Sequence, residues 1–176
     1  MRRVIHAVAL GLGAALASQA VPAQAWAQHA IGFAALASPE AEELERQARA
    51  LYDRPDEYGR AASLHLRAAE HRSAGDPMRT ADLVQAARLY YYVGSKTKAF
   101  GIMRRAADEA LSNGDVVSAA QALLDASSIA QELGRGEDVR TFAARAELLM
   151  KSPLVPDAER SRILTRLQQA NLDRSI

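Results

Sequence analysis

The chain has no cysteine. Within these residues, disulfides, thiolate metal ligands, a cysteine nucleophile and a lipid-bearing cysteine are therefore excluded. Such a composition also suits an oxidising compartment, where stray thiols are a liability. Aromatic residues are scarce at 5%, although hydrophobic residues reach 49%. A core with that balance consists mainly of alanine and leucine, which favours close-packed helices over a β-sandwich. No β-branched alternating run occurs, so no strands are expected. An excess of either charge is missing too. The formal net charge is +1, which leaves no field directed at nucleic acid or an acidic polymer. Lysine is rare: 19 of the 22 basic residues are Arg, and with the alanine excess this is the composition expected of a GC-rich bacterial genome.

Catalytic signatures are absent from the sequence. It holds no Gly-rich phosphate loop, no G-x-S-x-G and no H-E-x-x-H. His65 and His71 lie six apart, on different faces of one helix, so they do not make a metal pair. His65 is expected as a satisfied, half-buried histidine. No catalytic residues, metal or cofactor are expected.

What is present begins with a leader. Arg2 and Arg3 precede an apolar run from Val4 to Ala17, and small residues then lead to Ala23-Gln24-Ala25 and Ala25-Trp26-Ala27. That three-part layout is a secretory signal peptide over residues 1–27, with a periplasmic or secreted product. The run is too short for a confident membrane span, so no stable span is expected after cleavage. Loss of Arg2 and Arg3 takes the formal charge from +1 to −1. Residues 28–37, "QHAIGFAALA", read as a loose apolar tail.

From Ser38 every break is a helix stop or start. Ser38 caps a first helix with Pro39 at its opening position, and it ends at Pro55. A second runs from about Asp56 to Ser73. Asp76-Pro77 repeats the opening, and the third helix stops at Gly94. Ser95 starts a fourth, which stops at Asn113-Gly114. Asp115 caps a fifth, ending at Gly134. A sixth spans about Glu137 to Lys151, and a seventh Asp157 to Leu172. The helices pair, and the pairs echo one another: "AARLYYYVG" from Ala86 parallels "ASSIAQELG" from Ala126, 40 residues on. Such a period means stacked hairpins, each with too little core to stand alone. The expectation is an all-α solenoid of about three antiparallel helix pairs over residues 38–173. The seventh helix caps it, with Ile163, Leu164, Leu167 and Ala170 turned inward.

In the 77–114 hairpin, Leu83, Ala86, Ala87, Tyr90, Gly94, Ala99 and Ala106 resemble the tetratricopeptide repeat. It departs from that pattern at Met103, where an aromatic is usual, and at Leu111, where a proline is usual. The hairpins on either side match less well. The resemblance implies that the first helix of each pair lines a concave groove. Groove positions are then Arg46, Ala50 and Arg54, followed by Val84, Arg88, Tyr91 and Tyr92, and by Gln121, Leu124, Ser128 and Gln131. Tyr90 belongs to the packing stripe. Tyr and Arg are residue types that carry binding hot spots. The expected function is a non-enzymatic adaptor or assembly factor that binds a protein or peptide. The alternatives are a structural homo-oligomer such as a homodimer, and an envelope enzyme or carbohydrate binder that uses the groove.

Export is expected to remove the leader after Ala25 or Ala27. The intact mass of the exported protein checks this, and a product that retains Met1 through Ala20 contradicts it.

Overall fold

The computed structural model describes residues 38–172, and every described element is helical. The expected leader and apolar tail, residues 1–37, lie outside the described residues. Seven α-helices follow: α1 (Pro39–Arg49), α2 (Tyr58–His71), α3 (Pro77–Tyr92), α4 (Lys96–Ser112), α5 (Val116–Glu132), α6 (Gly136–Leu149) and α7 (Asp157–Leu172). Each of the first six packs on its chain neighbour, so the architecture is an all-α array of antiparallel helix pairs. α7 leans on α5 and α6.

Local chemistry sets the boundaries. Ser38 Oγ accepts the Ala41 N–H, and Glu40 and Glu42 sit at the positive end of the α1 dipole. Asp76 accepts the Met78 N–H at 2.8 Å, and Asp115 accepts the Ser118 N–H at 3.0 Å. α1 ends at Arg49, earlier than Pro55 suggests. The Leu51 and Tyr52 N–H groups bond three residues back, which tightens the chain into a turn. Pro55–Glu57 then forms a short 3₁₀ turn, and α2 proper starts at Tyr58.

Three later hairpins turn in the same way. Gly94, Gly114 and Gly134 adopt φ of 79°, 73° and 70°, a region that other residues enter at a cost. The N–H of the following residue reaches back to the carbonyl of Tyr90, Ala110 or Ala130 at 2.8–2.9 Å. This bond satisfies a carbonyl that the helix end would leave orphaned.

Small side chains hold the helices together. Ala86, Ala87, Ala99 and Ala106 are fully buried, so neighbouring backbones approach closely. Leu83, Met103, Leu123 and Ile163 fill the remaining space. Met103 takes the inward position where the repeat pattern favours an aromatic. Phe100 and Phe142 meet at 5.8 Å between ring centroids and tie α4 to α6. α7 buries Ile163 and Leu167 and leaves Arg162, Thr165 and Gln168 exposed, as a capping helix does. Leu164, expected inward, is at the exposed edge, because the buried stripe passes through residues 163 and 167. The Ala170 side chain lies outside the described ones.

A buried polar network occupies the first junction. Asp82, on α3, sits among the core residues at 2% exposure, and His65 on α2 at 1%. The His65 Nδ1–H donates to Asp82 Oδ1 at 2.8 Å, and in the neutral ring Nε2 then accepts from the Tyr52 hydroxyl at 2.6 Å. Arg72 Nε donates to Asp82 Oδ2 at 2.6 Å, while its Nη2 meets Glu45 at 2.7 Å and its Nη1 meets Asp76 at 3.4 Å. One guanidinium therefore joins α1, α3 and the α2–α3 turn. Burial works against the Arg72 charge, but the bonds to Asp82 and the fields of Asp82, Asp76 and Glu45 outweigh it, and its pKa rises. His65 is more deeply buried than the sequence suggests, and it is fully hydrogen-bonded.

Arg72→Met keeps the apolar stem but leaves three carboxylates without their shared cation. The expected loss is about 3–5 kcal/mol, the usual cost of breaking a buried ion pair. Chemical denaturation measures it, and a loss below about 1 kcal/mol, typical of a surface pair, contradicts the network's role.

Candidate functional site

The three consecutive tyrosines at the end of α3 part ways. Successive helical side chains point about 100° apart, so one ring enters the core while the next two face outward. Tyr90 is buried. Ser63 Oγ donates to the Gly59 carbonyl at 3.0 Å, so the Tyr90 hydroxyl is the donor in its 2.8 Å bond to Ser63. Lys98 Nζ lies 3.9 Å from the Tyr90 ring centroid, a cation–π contact. Tyr91 is half-buried, and its hydroxyl donates to Glu132 Oε1 on α5 at 2.6 Å. Tyr92 is 69% exposed. Its ring meets Tyr91 edge-on at 5.9 Å and Tyr58 of α2 at 6.3 Å.

Tyr91 and Tyr92 border a cavity of about 420 Å³ between α3, α5 and α7. Arg88, Tyr91 and Tyr92 line one wall. Asp125, Ser128 and Glu132 line the opposite wall, with Met103 and Ile129 at the floor and Arg166 arriving from α7. A second cavity of about 220 Å³ adjoins it and shares Arg88 and Asp125. Val84, Gln85 and Gln121 line that part. Together they make one trough along α3 and α5.

Ion pairs stiffen the trough. Asp125 receives Arg88 Nη2 at 3.3 Å and Arg166 Nη2 at 2.6 Å, one on each oxygen. Glu132 holds Lys96 Nζ at 2.7 Å as well as Tyr91. The hydrogen bonds from Lys96 and then Tyr91 lower the Glu132 pKa. The bond to Glu132 raises the pKa values of both Tyr91 and Lys96. The depressed carboxyl contributes stability above the ordinary carboxylate range and loses it as pH falls through the lowered value. The raised Tyr91 and Lys96 groups contribute below their ordinary values and lose that as pH rises through the raised ones. The triad therefore holds across neutral pH.

The sequence-expected groove residues divide. Val84, Arg88, Tyr91, Tyr92, Gln121 and Ser128 line the trough. Leu124 does not: at 4% exposure it is a core residue. Arg46 is exposed but pairs with Glu43 on its own helix and lines neither cavity. Ala50 and Arg54 are exposed and also lie off the trough, and Gln131 borders a separate hollow near Val139. Sequence reasoning missed Asp125, Ile129, Glu132 and Arg166. On α5 the trough-lining stripe is 121, 125, 128 and 132, whereas the resemblance implied 121, 124, 128 and 131. Both stripes fit helical spacing, and they differ by a small rotation about the axis. The available signal was polarity: Asp125 and Glu132 are charged, and Leu124 is not. Arg166 carried no such signal, because its place depends on how α7 folds back.

Among the described residues no helix is long and apolar enough to cross a membrane. No group of three or more His, Asp or Glu among them is arranged to hold a metal ion. The trough offers guanidinium and hydroxyl donors, two carboxylates and aromatic faces.

Substitution should separate the three rings. Tyr90→Ala is expected to cost about 3 kcal/mol or more, as for other buried aromatics. Tyr91→Ala and Tyr92→Ala should each cost within about 1 kcal/mol. Denaturant titration of the three proteins checks this, and an equal loss at Tyr92 places that ring in the core. No protein-family model and no curated protein matches the chain.

Proposed function

We propose that this chain is an exported, non-enzymatic interaction module of tetratricopeptide-like design. It acts as an adaptor or assembly factor and takes a segment of a protein partner into the trough. The observation that carries this reading is the convergence of Tyr91, Tyr92, Arg88 and Arg166 at one accessible cavity. Aromatic and Arg side chains give large contact area and planar hydrogen bonding at small entropic cost, and they dominate binding energy at interfaces. The leader at residues 1–27 supports export. A homo-oligomer formed by end-to-end stacking is the weaker reading. The outer side of α7 presents Arg162, Thr165 and Gln168, and exposed α1 positions include Glu42, Glu43 and Gln47. Among the described residues, Leu148, Leu154 and Leu164 are the large apolar side chains exposed near the C-terminal end.

A photo-crosslinking amino acid placed at Tyr92 in the exporting cell tests the proposal, with one at Glu70 on α2 as control. The expected result is a discrete adduct from position 92 that Arg88→Ala diminishes and that position 70 does not give. The same adduct from both positions, or none from position 92, contradicts trough binding.

A further inference from the structure

The trough is uneven in charge, and the imbalance selects a ligand class. Arg88 and Arg166 share one carboxylate, Asp125. The nearby Glu132 is already held by Lys96 and Tyr91. Three cations therefore meet two anions at this end of the trough. The Arg88 and Arg166 side chains are 50% and 46% exposed. Each guanidinium carries five N–H donors in a rigid plane, yet each makes one bond to Asp125 and none to another described residue. An Arg pair with unused donors suits a further carboxylate, which it can grip in bidentate fashion.

We propose that the trough binds a peptide segment whose Asp or Glu side chain enters between Arg88 and Arg166, while an apolar neighbour rests on Tyr92 and Ile129. This deepens the partner-binding reading above and rests on it. A cavity of about 420 Å³ suits a few side chains of an extended segment rather than a folded surface. The incoming carboxylate removes the local charge excess. Asp125 has two effects. It holds the guanidiniums in place before binding, and it competes with the ligand for their donors. The apolar stretch at residues 28–37 contains no Asp or Glu, so it lacks the recognised group.

The test probes the full-length chain on an array of random short peptides and re-measures the strongest binders in solution by fluorescence anisotropy. Binders that depend on Tyr92 should be enriched in Asp or Glu beside an apolar residue. Converting that acid to its amide in the peptide should weaken binding about tenfold, the scale of a charge-assisted contact. This comparison needs no protein variant. Arg88→Gln and Arg166→Gln should each erase the acid-over-amide preference, Asp125→Asn should tighten acidic peptides several-fold, and added salt should weaken them. Tyr92-dependent binders without acidic preference overturn this inference but leave the trough reading in place. An array with no Tyr92-dependent binder overturns both. A dimer in light scattering that Tyr92→Ala dissociates puts a second copy in the trough and overturns the peptide assignment.

Discussion

The structure depends on how closely its helices approach. Alanine at the contact positions of α2 to α6 brings neighbouring backbones together, and a larger side chain there would force them apart. Leu83, Met103 and Leu123 fill the inner spaces, whereas Tyr91 and Tyr92 lie toward the open side. Scarce aromatics are no handicap to such a core: Tyr90, Phe100 and Phe142 enter it, while Tyr92 stays at the surface.

The first hairpin uses the same alanine contacts, at Ala41, Ala48, Ala61 and Ala68, and adds a polar device. Its contact with α3 carries a buried His65–Asp82–Arg72 network, with Glu45, Asp76 and Tyr52 at its margins. Replacing such a network by apolar side chains is often neutral for stability, whereas removing one member is costly. What the network adds is direction. The guanidinium plane and the imidazole each accept a narrow range of partner positions, so α1 and α2 are held in one register against α3. Alanine contacts, by contrast, tolerate sliding.

The trough shows the reverse arrangement, with charged groups paired at its surface. Glu132 on α5 joins Tyr91 of α3 and Lys96 at the start of α4, and Asp125 links Arg88 to Arg166 of α7. These pairs are partly open to water, so each contributes modestly to stability. They fix instead where donors and ring faces stand. A site whose groups are already positioned spends less of its binding energy on ordering them.

Helix number, most helix ends and the repeat were legible in the residues. Ser38-Pro39, Asp76-Pro77 and the glycines at 94, 114 and 134 are local signals, and caps and positive-φ turns act within a few residues. The division of the tyrosines was also legible, since Leu83, Ala87 and Tyr90 form one stripe by spacing alone. Tertiary structure decided the rest. The rotation of α5 about its axis placed Asp125 and Glu132 in the trough and Leu124 in the core, and local spacing permits either outcome. Arg72 and Asp82 look like ordinary helix charges until α1, α2 and α3 come together around them. Arg166 reaches Asp125, 41 positions earlier, because α7 packs back on α5. Caps and turns are set by neighbours in the chain, whereas which face of a helix is buried depends on partners that only the folded chain brings close.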